Sequence, residues 1–275
     1  SLRDLISRMT EEQFQRLADS GYNRIPVVRE VLADTETPLS TFLKLGNGKH
    51  SYFFESVAGG EKWGRYSIIG LPCSTVLRVV GDTVTVEENG EVVEQDKSDS
   101  PFEFIASYKE RFRVADAPGG QRFSGGLVGY FSYDTVRFVE TSIGPSKAQD
   151  EIGTPDILLM LSEEVVVFDN LSGTICFVIT VDPAQDEAYS RAQQRLNFLQ
   201  EQLQKPVPLP QLAQANAVAE ADFRHHFSQQ GYQQAVEKIK DYIVAGDVMQ
   251  VVLAQRMSVP FNGDPLNVYR ALRYL

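Results

Sequence analysis

Few side chains in this sequence can bind a soft metal or attack a bond. Among 275 residues there are two cysteines, Cys73 and Cys176, and three histidines, His50, His225 and His226. Two cysteines far apart in sequence build no disulfide framework, and two free thiols in a reducing cytoplasm are the expectation. No His, Cys and carboxylate spacing resembles a zinc site, and no nucleophile-elbow sequence is present. Positive charge is also short: 26 Lys and Arg against 37 Asp and Glu leave a net charge of −11. An acidic surface repels phosphate backbones and anionic lipid, which argues against nucleic acid or a membrane as partner. No apolar run approaches the roughly 18–20 residues that span a bilayer. The polar N-terminus lacks the apolar core of a secretory signal.

What is present is typical of a soluble globular protein: 43% hydrophobic and 23% charged residues. The length suits one large domain or two smaller ones. Thr10-Glu11-Glu12-Gln13 reads as a capping box, with Gly21 as helix stop and Phe14 and Leu17 facing inward. An extended piece follows at 25–31, and Thr37-Pro38-Leu39 starts a short helix through Leu45. Strands are expected at 52–56, 66–70, 75–80, 83–87 and 91–95, with Gly81-Asp82 and Asn89-Gly90 as hairpin turns. An amphipathic helix is expected at 101–113, with Phe102, Ile105 and Tyr108 on one stripe. Further strands are expected at 127–133, 157–161, 165–168 and 175–181, then a polar helix at 184–204. Pro206, Pro208 and Pro210 open a Gln/Ala-rich linker to Glu220. Beyond it, Tyr232, Val236, Ile239 and Ile243 recur at helical spacing up to Gly246. Residues 249–259 read as a strand, and a last helix begins at Leu266, whose Val268, Leu272 and Leu275 call for a partner surface. Hairpins outnumber βαβ units, so the fold class is α+β with mainly antiparallel sheets.

Two segments invite chemistry. Gly125-Gly126 and Gly129 lack the Lys-Ser/Thr of a P-loop and the third glycine of a dinucleotide fingerprint. They read as a bulge and close packing of Tyr130 and Tyr133. In a strand at 249–259, alternation places Gln250, Val252, Ala254 and Arg256 on one face. The arginine suits a carboxylate and the glutamine adds a neutral hydrogen bond, as for a dicarboxylate. An edge strand with solvated Gln and Arg has the same pattern.

The run Asp247-Val248-Met249-Gln250-Val251-Val252-Leu253-Ala254-Gln255-Arg256 resembles the start of the chorismate-binding domain of anthranilate synthase component I, among the chorismate-utilising enzymes. Three further blocks are similar to that family, in its order. They are Arg24-Ile25-Pro26-Val27 with Thr37-Pro38-Leu39; Phe53-Phe54-Glu55-Ser56-Val57 with Gly64-Arg65-Tyr66-Ser67; and Gly125 through Asp134.

The resemblance implies orthogonally packed, mainly antiparallel sheets with outer helices. It implies a regulatory region at 1–204, a linker at 205–222 and the incomplete start of a catalytic domain at 223–275. It implies that chorismate and ammonia become anthranilate and pyruvate with Mg²⁺, whose ligands would lie C-terminal to residue 275. By the same resemblance a glutamine amidotransferase subunit supplies the ammonia. The fragment alone would be inactive. Glu55 and Ser56 match the family's tryptophan-sensing segment, with Arg65 for the ligand's carboxylate. Gln250 stands where water-using relatives carry lysine. A neutral amide cannot act as that base, so Gln250 implies ammonia as nucleophile. An aminodeoxychorismate synthase-like enzyme and a non-catalytic tryptophan-binding module are the alternatives.

Overall fold

The computed structural model describes residues 9–55, 64–98, 100–121, 123–145, 150–208 and 218–275. The chain divides into two compact units, Ser1–Pro208 and Leu209–Leu275.

In the first unit, α1 (Glu11–Asp19) starts on the expected capping box. Thr10 Oγ1 accepts from the Gln13 amide at 3.2 Å, and the Gln13 side chain accepts from the Thr10 amide at 2.8 Å. Two amides that a helix start leaves unpaired are thereby satisfied. β1 (Ile25–Leu32) follows, then α2 (Pro38–Thr41), which runs on into a π-helical turn at Phe42–Gly46. Next come β2 (Tyr52–Phe54), β3 (Tyr66–Gly70), β4 (Thr75–Val80), β5 (Thr83–Glu88) and β6 (Glu91–Lys97). After α3 (Pro101–Glu110) come β7 (Gly126–Phe131), α4 (Val136–Val139), β8 (Ile157–Ser162), β9 (Glu164–Asp169), β10 (Thr174–Val181) and α5 (Ala188–Leu203). The β5–β6 turn holds Asn89 at φ 54 and Gly90 at φ 86. Both being positive marks a type I′ turn, which is why Asn-Gly announces this hairpin.

The strands form two five-stranded sheets, ordered β1-β10-β9-β3-β2 and β6-β5-β4-β8-β7. Every ladder in both is antiparallel. The chain passes from the first sheet to the second between β3 and β4, and returns through a single residue, Glu163, between β8 and β9.

Side-chain alternation explains the layering. On one face of the first sheet, Ile25, Ile69, Val166, Phe168 and Phe177 pack with Phe14 of α1 and Leu196 and Leu199 of α5. On the other face, Val28, Val165, Val167 and Val178 pack with Ile68 and Phe123. Ile68 and Phe123 also pack with Val76 and Met160 of the second sheet, so the two sheets face one another. The far side of the second sheet, with Leu77, Val79, Ile157 and Leu159, is covered by Tyr108, Phe102 and Ile105 of α3. The result is helix, sheet, sheet, helix, the α+β class expected from the hairpin-rich sequence. α5 buries Ala188, Ala192, Leu196, Leu199 and Leu203 at helical spacing although its sequence reads as polar.

The second unit contains β11 (Arg224–His225), α6 (Gln229–Ala245), β12 (Met257–Ser258) and α7 (Pro265–Tyr274). Ser228 caps α6 and Gly246 ends it in the left-handed region. Neither α6 nor α7 buries a residue, and Val268, Leu272 and Leu275 of the last stripe are 44%, 67% and 98% exposed.

Three expectations are corrected. The strand expected at 249–259 is confined to Met257–Ser258, which pairs with Arg224–His225. Residues 250–256 are extended by sequence but have no ladder among the described residues, and a strand exists only where a neighbour supplies hydrogen bonds. Tyr133 is 89% exposed rather than packed. The glycines instead serve backbone approach: a Cβ on Gly129 would lie 1.8 Å from the Leu158 carbonyl oxygen. The third is α4, a helix that follows β7 where none was expected.

Candidate functional site

β2 and β3 pair Phe54 with Ile68, so the chain leaves the first sheet after Phe54 and returns at Tyr66. Two of the expected ligand residues, Glu55 and Arg65, flank this connection. Ser56 lies outside the described residues. Glu55 is half-buried at the end of β2.

Arg65 is held by β9 and the turn after it. Its guanidinium forks onto Asp169, Nε donating to Oδ1 at 2.9 Å and to Oδ2 at 3.1 Å, and Nη2 to Oδ2 at 2.6 Å. Such a two-pronged pair fixes the plane of the guanidinium as well as its position. The guanidinium also lies 4.9 Å from the centre of the Tyr66 ring. Asp169 Oδ1 takes two turn amides as well, from Leu171 at 3.1 Å and Ser172 at 3.3 Å. The Asn170 amide donates to the Arg65 carbonyl at 2.8 Å, and its side chain donates to the Gly64 carbonyl at 3.1 Å. Arg65 holds the Asp169 carboxyl below its usual range, helped by those amides and opposed by burial. Asp169 in turn raises the guanidinium. The arginine side chain stays 41% exposed against 16% for the aspartate, so one side of the guanidinium is open to a second anion.

Asp169 escaped the sequence reading. Asp-Asn-Leu-Ser-Gly signals a hairpin turn, and the turn is there. Nothing local names Arg65 as its partner, because the pair spans 104 positions.

In the second unit Gln250 is exposed, in the unladdered segment. Gln250 and Arg256 therefore do not share a strand face. Arg256 Nη2 lies 2.9 Å from His226 Nδ1, and His226 Nε2 lies 3.1 Å from Ser258 Oγ. A guanidinium only donates, so Nδ1 accepts and Nε2 donates to the serine. Gln255 Nε2 donates to the Phe227 carbonyl at 2.9 Å.

A sequence model of the family described as chorismate binding enzyme matches residues 62–274. The chain belongs to this family.

It is 51% identical to the anthranilate synthase component 1 of Pseudomonas putida, over 96% of this chain. It is 48% identical to that of Neisseria meningitidis serogroup B, over 97%. Each alignment takes in 54% of the relative, so the chain spans about half the length of the curated relatives it matches. The crystal structure of anthranilate synthase component I from Streptococcus pneumoniae TIGR4 is similar with a TM-score of 0.57 at 25% identity. That likeness covers 89% of this chain and 52% of the other.

Among the described residues, no group of three or more His, Cys, Asp or Glu could hold a metal ion. Among the same residues no helix is long and apolar enough to cross a membrane. What the first unit offers instead is a positioned cation, Arg65, and a carboxylate, Glu55, on either side of one connection. That is the charge pattern for the two ends of a zwitterion.

Proposed function

We propose that this chorismate binding enzyme is part of an anthranilate synthase component I, which aminates the chorismate ring with ammonia and eliminates pyruvate to leave anthranilate. The observation that carries the reading is identity of about half the residues, over nearly the whole chain, to relatives of that name. Gln250 supports it chemically, because a neutral amide leaves water unactivated and ammonia needs no base to attack. In this reading an amidotransferase subunit, component II, supplies ammonia from glutamine, and magnesium is bound by residues outside those described. The two free thiols suit a reducing cytoplasm.

The first unit then senses the pathway product. Tryptophan would place its carboxylate on the open side of the Arg65 guanidinium and its ammonium on Glu55, with Ser56 adding a hydroxyl. Asp169 positions the arginine for this role. Calorimetric titration of the chain with tryptophan tests it. Arg65→Ala should weaken binding about tenfold or more, the loss of one charge-assisted contact. In the full-length enzyme, Ser56→Phe should keep anthranilate formation and lose inhibition by tryptophan. Unchanged affinity in the first variant, together with unchanged inhibition in the second, would sink the assignment.

A further inference from the structure

A second candidate site lies at the opposite end of β9 from Asp169. There Glu163, the residue at which the chain passes from one sheet to the other, borders a partly open cavity of about 350 Å³. That size is at the low end of small-molecule pockets, roughly 300–1,000 Å³. Phe112, Val114, Leu127 and Leu161 give it apolar walls, and Gly125 and Gly126 line it with bare backbone. A Cβ on Gly126 would meet nothing within 4 Å, yet its φ of +119 admits essentially only glycine. The wall is thus open at a point where the fold excludes a side chain.

Three charged groups converge on this cavity with bonding capacity unspent. Arg24 lines it, held by Nε to Glu163 Oε1 at 2.7 Å, by Nη1 to the Asn23 carbonyl at 2.7 Å, and by Nη1 beside Asp182 at 3.2 Å. The Phe112 ring lies beneath the guanidinium, 4.8 Å from its centre. Among the described residues Nη2 donates to nothing and Glu163 Oε2 accepts nothing. The Arg24 side chain is 19% exposed and that of Glu163 40%, so solvent reaches both. Lys109, on α3, is exposed and has no ion pair among the described residues. The Thr180 hydroxyl is already committed to the Ser124 carbonyl at 3.2 Å. Two free donors of positive charge and one free carboxylate oxygen, beside an apolar wall, match a molecule carrying both signs on an apolar body.

We propose that this cavity binds a free α-amino acid with an apolar side chain. Its carboxylate would lie on Arg24 Nη2 and Lys109, its ammonium on Glu163 Oε2, and its side chain against Phe112, Val114 and Leu127. A simple carboxylate would leave Glu163 facing an anion, and a simple amine would face two cations. The site is separate from the Arg65–Asp169 pair: Glu163 and Asp169 stand at the two ends of one strand, roughly 20 Å apart at about 3.3 Å per residue.

The test is calorimetric titration of the chain with L-leucine and L-phenylalanine, alongside 3-phenylpropanoate and phenethylamine. The amino acids should bind and the two deletion analogues should bind at least about tenfold more weakly. Lys109→Glu changes an exposed residue and should weaken amino-acid binding about tenfold. Val114→Trp should fill the cavity and abolish binding, and circular dichroism checks that both variants keep the fold. Arg65→Ala should leave binding unchanged. The proposal is overturned if no amino acid binds. It is equally overturned if the deaminated acid or the amine binds as well as the amino acids. Loss of binding in Arg65→Ala but not in the folded Lys109→Glu and Val114→Trp variants would also overturn it, since the ligand would then occupy the other end of β9.

Discussion

At the scale of single residues, the structure separates side chains that hold the fold from those free to meet a ligand. Tyr52 is of the first kind. Its hydroxyl lies 2.9 Å from Ser162 Oγ, and burial pushes it from 10.0 up to about 12, with the serine contact pulling the other way. A raised value means the folded chain holds this proton more tightly than the unfolded one. The stabilisation is complete below pH 10 and is lost as pH rises towards 12, on the order of 3 kcal/mol. Urea midpoints measured from pH 9 to 11.5 should fall steeply in the wild type and less so in Tyr52→Phe. The Cys176 thiol is likewise pushed up to about 12 by burial, so it is a packing group and not a nucleophile. Gln250 is of the second kind, exposed and with no side-chain hydrogen bond among the described residues. Gln250→Lys in the full-length enzyme should therefore fold normally and yield some hydroxylated product beside anthranilate. Chromatography of the products checks this, and normal amination with no such product would remove the role given to Gln250.

At the scale of elements, periodicity was reliable wherever a segment carries its own signal. The capping box of α1, the Asn89-Gly90 hairpin and the stop at Gly246 were all legible, because each depends on residues within a few positions. The segment 250–256 was misread as strand because a β-branched run states only a preference, and a ladder needs a second strand. Amide exchange distinguishes the two situations. Val251 and Val252 should exchange at nearly open-chain rates, whereas Val166 and Val178, paired on both sides in the first sheet, should be protected to the level of global unfolding. Protection of residues 250–256 equal to that of β9 would contradict the structure.

At the scale of the whole molecule, the chain spans about half of its curated relatives, and its described residues hold no metal-binding cluster. Incubated with chorismate, ammonia and magnesium, the chain by itself should form no anthranilate, read by the fluorescence of the product, while the full-length enzyme should. Anthranilate formed at the full-length rate would show that the catalytic groups are complete here. The sequence alone determined the α+β class, most helix and strand positions, the chorismate-enzyme resemblance and the neutral residue at 250, since these reside in local spacing and composition. Only the tertiary structure decided that Arg65 rests on Asp169, that Glu163 and Arg24 share a cavity, and that residues 250–256 form no ladder among the described residues. Those are facts of strand pairing and sheet packing between residues up to 139 positions apart, and no local pattern encodes them.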